Sequence, residues 1–220
     1  MSDRRSTLGS QWDVFLLLSL LLMILMFPVL DHGNLRRAML GVLVFAPVVA
    51  STVRLSQVGE RIWLPVLLMS SAILVAVISV FVPVKALNGA KWAMLTVFFG
   101  TSIAGLFKYL RESRAIGPGH LCTAASIYLM IGASWFTLYS AIDVFQPGAF
   151  SHGSAAGNDG HAELLYFSLV TLSTLGYGDV VPLRGEVRMC AALEAMTGVF
   201  YIAITVAVLV SAYRPRHDSA

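Results

Sequence analysis

Nine consecutive residues, Thr171-Leu172-Ser173-Thr174-Leu175-Gly176-Tyr177-Gly178-Asp179, read T-x-x-T-x-G-Y-G-D. Their side chains offer no nucleophile with a base beside it and no metal-ligand cluster, so their chemistry lies in the backbone. Gly176 and Gly178 reach backbone angles that other residues resist. They allow the stretch from Thr174 to Gly178 to turn its carbonyl oxygens to one side. Four such strands around one axis would replace the water shell of a dehydrated cation. The carbonyls of Thr174, Leu175, Gly176 and Tyr177 would form the row, and the Thr174 hydroxyl would close its inner end. Leu175 and Tyr177 would then point their side chains away from the row.

On these residues the stretch resembles the selectivity filter of potassium channels, with Leu175 where Val or Ile is commoner. The resemblance implies potassium ions as permeant ligand, no cofactor, and a homotetramer, since one filter strand per chain requires four chains. It implies that Asp179, just after the filter, accepts a hydrogen bond from Tyr166; a solvated loop aspartate is the alternative. Tyr166, Phe167 and Tyr177 could form an aromatic collar, though plain apolar packing suits Phe167 better. Some potassium channels carry a glutamate four residues before the filter threonine, where this chain has Val170. Filter inactivation that depends on that acid is therefore not expected. Gly198 stands where related channels have a hinge glycine. Close helix packing is the other role of a glycine in a membrane helix.

The elements that must hold such a strand are read from composition. The chain of 220 residues is 57% hydrophobic and 12% charged, with a mean hydropathy of +0.78. An ordinary soluble domain carries about a quarter charged residues. Six apolar runs, approximately 12–30, 38–55, 62–84, 92–110, 120–145 and 188–212, approach or reach the ~20 residues that cross a hydrocarbon core. The first follows Arg4 and Arg5 but is long for a signal peptide and lacks a small-x-small cleavage site, so it reads as a retained span. Polar joints are expected at Asp31 to Arg37, Ser56 to Arg61, and Lys85 to Lys91. Ala162 to Ser173 is apolar but too short to span, which fits a re-entrant helix buried by neighbouring protein. The fold class expected is an all-α membrane protein of six transmembrane helices, tetrameric, with a pore helix and filter between helices five and six. Gly117-Pro118-Gly119 marks a bend and divides a four-helix domain, 1–115, from a pore domain, 116–220.

Glu194 sits inside the sixth run. A carboxyl there is costly unless it has a partner or a wet cavity. Lying one turn before Gly198, it is expected behind the filter as a structural hydrogen-bonding group, for example to Ser173 or Thr171, with direct ion binding as the alternative. His152 and His161, in a Gly/Ser-rich loop, read as solvated rather than metal-binding. Cys122 and Cys190 should lie on opposite faces, which disfavours a disulfide.

Six spans with the filter between the last two resemble voltage-gated potassium channels in plan. A voltage sensor needs basic residues at every third position within its fourth span and acidic partners nearby. The fourth run has Lys91 at one end and Lys108 at the other, and no acid occurs inside the second or third run. The first four spans therefore read as a voltage-sensor-like domain without the sensor series. Lys108, Arg111 and Arg114 have three-residue spacing at the cytoplasmic edge, where a collar for anionic headgroups is expected. With both termini cytoplasmic, nine basic residues fall inside and six outside, the right sign for the positive-inside rule.

The expected function is a potassium-selective channel subunit of prokaryotic type, passive and weakly voltage-dependent, in the plasma (inner) membrane. Its partners are lipid, potassium and three further copies, and no nucleic acid. A potassium transporter subunit or a non-conducting accessory subunit is the alternative. No His-Glu-x-x-His, Gly-x-Ser-x-Gly or paired in-membrane carboxylates occur, so an enzyme is not expected. Only Tyr213 to Ala220 follow the sixth run, so no ligand-binding domain is expected within the chain.

Overall fold

The computed structural model describes residues 2–27, 46–56, 63–81, 84–112, 117–151 and 160–212. These are mainly helical. In chain order they form α1 (Ser2–Met26), α2 (46–56), α3 (Trp63–Phe81), α4 (Lys85–Glu112), α5 (Pro118–Phe145), α6 (His161–Leu172) and α7 (Gly185–Ala212). Three helices among the described residues are long and apolar enough to cross a membrane: Lys85–Arg111, Gly119–Phe145 and Gly185–Val208. Shorter apolar stretches occupy Gln11–Met26 and Pro65–Ser79. Residues 38–45 of the expected second span lie outside the described residues, as do the joint 31–37 and most of the joint 56–61.

The helices start where backbone chemistry permits. Pro118 opens α5, where its missing N–H costs no hydrogen bond, and the Gly117 N–H donates to His120 Nδ1 at 3.1 Å. The expected joint Lys85 to Lys91 is instead the first two turns of α4. The Val84 carbonyl accepts the N–H groups of Leu87 and Asn88 at 3.1 and 3.3 Å, so helical bonding begins before the apolar residues do. Gly89 lies in this stretch because the Phe145 ring packs on it; a Cβ there would come within 2.2 Å of that ring.

α5 is the central element, packed by α1, α4 and α6, while α3 packs on α4 and α7 on α6. Phe136 of α5 meets Phe27 and Trp92 edge-on, each at 5.4 Å between centroids. Such pairs add roughly 0.5–1.5 kcal/mol each beyond their buried area. Tyr139 of α5 likewise gathers Phe150 and Phe167 at 5.5 and 5.3 Å. The two cysteines are free.

One buried polar cluster ties the early helices to α5. Asp13 of α1 accepts two hydrogen bonds from the Arg54 guanidinium of α2, and a third from Thr123 Oγ1 of α5 at 2.9 Å. Arg54 also lies over the Tyr109 ring of α4, 4.6 Å from its centroid. That ring stacks on His120 at 5.3 Å, with Tyr109 Oη 3.2 Å from Nε2. Asp13 interrupts the first apolar run, so the acid is visible in the sequence although its partners are not. Arg54 is buried, with Asp13 as its ion-pair partner.

Candidate functional site

α6 is a twelve-residue helix, His161–Leu172, with Glu163 in its first turn where a negative charge suits the helix dipole. Trp92, near the start of α4, packs against His161 at 5.0 Å. α4 begins beside the end of α5 through Gly89 and Phe145, so α6 starts at that same end of the bundle. After α6 the chain returns there. A two-residue strand β2 (Val181–Pro182) pairs antiparallel with β1 (Phe150–Ser151), just beyond α5. The Leu183 N–H donates to the Ala149 carbonyl at 2.8 Å. A helix enters, an extended segment comes back, and α7 sets out from the same side. No sequence signal marks strands this short.

The returning segment has an alternating backbone. Thr174, Gly176 and Gly178 have φ of 58°, 58° and 80°, and among the described residues Thr174 is the non-glycine with positive φ. Left-handed angles at every second residue turn successive peptide units to a common side instead of the alternation of a β-strand. Thr174 carries the strain of a β-branched side chain in that region. Residues Ser173 to Asp179 are exposed in the single chain.

The end of α6 is fully accounted for. Its carbonyls at Leu169, Val170 and Thr171 accept the N–H groups of Ser173, Leu175 and Thr174 at 3.1, 2.9 and 2.9 Å. The Leu172 carbonyl takes a longer bond from Tyr128 Oη at 3.4 Å. These bonds join the filter-like strand to the helix that precedes it, and they satisfy acceptors that a helix terminus leaves open.

The expected supporting residues fall around this strand. Tyr166 stacks on Tyr177, with ring planes 3° apart and centroids 6.4 Å apart. Its hydroxyl hydrogen-bonds the Asp179 side chain. Phe167 is buried against Tyr139 and Phe150, as apolar packing required. Glu194 is wholly buried, but its partners are not Ser173 or Thr171. Ser168 Oγ lies 2.5 Å from Glu194 Oε1, and Tyr139 Oη donates to Oε2 at 2.7 Å. Helical phase explains the difference: Ser168 faces the α5–α7 seam, while the Ser173 hydroxyl turns back to the Val170 carbonyl. Gly198 presses on the end of α6, where an added Cβ would lie 2.0 Å from the Leu172 oxygen.

Lys108 and Arg111 are exposed on the last turns of α4; Arg114 and His152 lie outside the described residues. Lys91 sits over the Trp92 ring at 4.9 Å. Among the described residues no group of three or more metal-ligating side chains occurs.

Two long apolar helices flanking a short helix and a strand of alternating handedness define a channel-type membrane protein. The family model for ion channels matches residues 119–214. A potassium channel protein of Paramecium bursaria Chlorella virus 1 is 34% identical over 83 residues, 36% of this chain and 83% of its own. A Rhodopseudomonas palustris protein whose name proposes a potassium channel is 41% identical over 51 residues. That match covers 23% of this chain and 12% of the relative's length. No solved structure matches the chain significantly. The chain belongs to the potassium channel superfamily.

Proposed function

We propose that this protein conducts potassium passively and selectively, as one of four identical subunits around a shared pore. The filter is Thr174 to Gly178, and the ions sit at the carbonyls of Thr174, Leu175, Gly176 and Tyr177. The observation that carries this reading is the alternation of positive φ at Thr174, Gly176 and Gly178. It supports a row of oxygens on one side of each strand, which is what a dehydrated ion requires. α6 acts as the pore helix, its negative end toward the cavity, with α5 and α7 as outer and inner helices. Tyr166 and Asp179 brace the strand from outside. Residues 116–220 form the pore domain in this reading. Residues 1–115 form a helical domain that packs on it and meets lipid through Lys108, Arg111 and Arg114. The protein sits in the plasma (inner) membrane with both termini cytoplasmic, and opening depends weakly on voltage.

Purified protein in planar bilayers, with potassium and sodium gradients opposed, tests the reading. The reversal potential should follow potassium. A current that ignores the potassium gradient, or no current under any condition, would favour a transporter or accessory subunit instead.

A further inference from the structure

α6 and α7 touch at two points with matched spacing. Ser168 meets Glu194, and four residues on along each helix, Leu172 meets Gly198. Equal steps in the same direction mean the two helices run alongside each other in one fixed register. At the second point there is space for a glycine hydrogen and nothing larger, since an added Cβ would lie 2.0 Å from the Leu172 oxygen. Gly132 of α5 closes in on α6 from the other flank, where a Cβ would come 3.0 Å from Leu169 Cδ2.

The first contact point raises a question of proton supply. Three close oxygen pairs converge there: Tyr139 Oη with Glu194 Oε2 at 2.7 Å, Ser168 Oγ with Glu194 Oε1 at 2.5 Å, and Ser168 Oγ with the Gly132 carbonyl at 2.8 Å. Each needs a proton between its oxygens. Tyr139 supplies one and Ser168 one, and a peptide carbonyl has none. The set closes when Glu194 carries the third, donating to Ser168 while Ser168 donates to Gly132. An ionised Glu194 would leave one buried oxygen pair facing without a hydrogen, a costly arrangement.

Resting on the conduction reading above, we infer that Glu194 and Gly198 are positioning residues that lock the register of the inner helix against the pore helix. Glu194 acts as a neutral acid joining α5, α6 and α7. Gly198 acts as a contact glycine at the carbonyl immediately before Ser173-Thr174, not as a point of bending. Any tilt of α7 is thereby passed to the base of the filter.

Full-length protein in lipid nanodiscs tests the lock by hydrogen–deuterium exchange across residues 173–180, a readout that needs no current. Ser168→Ala should speed exchange there by about tenfold, the factor that loss of one buried hydrogen bond produces in an opening equilibrium. Gly198→Ala should do at least as much. Glu194→Gln should match wild type, because its amide donates to Ser168 and accepts from Tyr139, whereas Glu194→Ala should resemble Ser168→Ala. Infrared spectra should show a protonated carboxyl band that Glu194→Gln removes. Unchanged exchange in Gly198→Ala with altered open probability would restore the hinge role and overturn the lock. Should that variant fail to assemble, unchanged exchange in Ser168→Ala overturns it equally. An infrared band found only for carboxylate overturns the neutral acid. A wild-type protein that does not pass potassium would defeat the conduction reading while leaving the exchange result to stand.

Discussion

Thr174 and Gly178 bound the strand on which the proposed conduction rests, and each has a left-handed backbone for a different reason. Gly178, at φ 80°, has open space around a hypothetical Cβ, so a substitution there fails through backbone angle and not through collision. Gly178→Ala is therefore expected to fold and assemble but to lose potassium selectivity, seen as a reversal potential no longer set by potassium. If that variant discriminates as wild type does, the backbone at this position is not what selects the ion. Thr174 has no such freedom and stores strain of order 1–3 kcal/mol, which the bonds from Thr174 and Leu175 back to α6 must hold. Tyr166 stacks on Tyr177 toward the other end. Tyr166→Phe should keep the ring stack on Tyr177 and lose the bond to Asp179. The measurement is the lifetime of the conducting state in single-channel records, which should shorten. An unaltered lifetime would leave Asp179 as a solvated loop acid.

At the level of elements, the buried pair of Asp13 and Arg54 joins α1 to α2 and, through Thr123, to α5. Removing one partner of a buried ion pair leaves an uncompensated charge and costs about 3–5 kcal/mol. Asp13→Asn should accordingly lower thermal stability sharply. Replacing both residues by methionine and leucine should recover most of the loss, because no buried charge then remains. Equal stability in wild type and Asp13→Asn would mean that water reaches the pair. The long apolar helices and α6 were legible from hydropathy and length, which report burial in lipid directly. The left-handed angles at Gly176 and Gly178 were legible because glycine is the residue type that such a backbone asks for. The partners of Glu194 were not, since which face of α6 meets α7 depends on packing that one-dimensional spacing does not encode. Asp13 shows the opposite failure. It stood visibly in an apolar run, but its partner is 41 residues away, and nothing local names Arg54. The start of α4 was missed because helical propensity, not hydropathy, governs Lys85 to Lys91.

At the scale of the whole molecule the question is how much charge can cross the membrane field when the first four helices move. Each elementary charge moved through the full field contributes about 2.3 kcal/mol per 100 mV, and steep gating needs several per subunit. Lys91 and Lys108 are seventeen helical residues apart, or about 25 Å, which puts them near opposite interfaces. Among the described residues Arg54 is the buried basic residue, and Asp13 moves with it, so their displacement carries no net charge. Conductance in symmetrical potassium should thus vary shallowly with voltage. An effective gating charge of several units per channel would place Arg111 or Arg114 within the membrane and refute the argument. Exchange of anionic for neutral lipid should lower activity, through loss of about 1 kcal/mol per basic residue near the surface. Activity indifferent to that exchange would leave the early helices as packing for α5 alone.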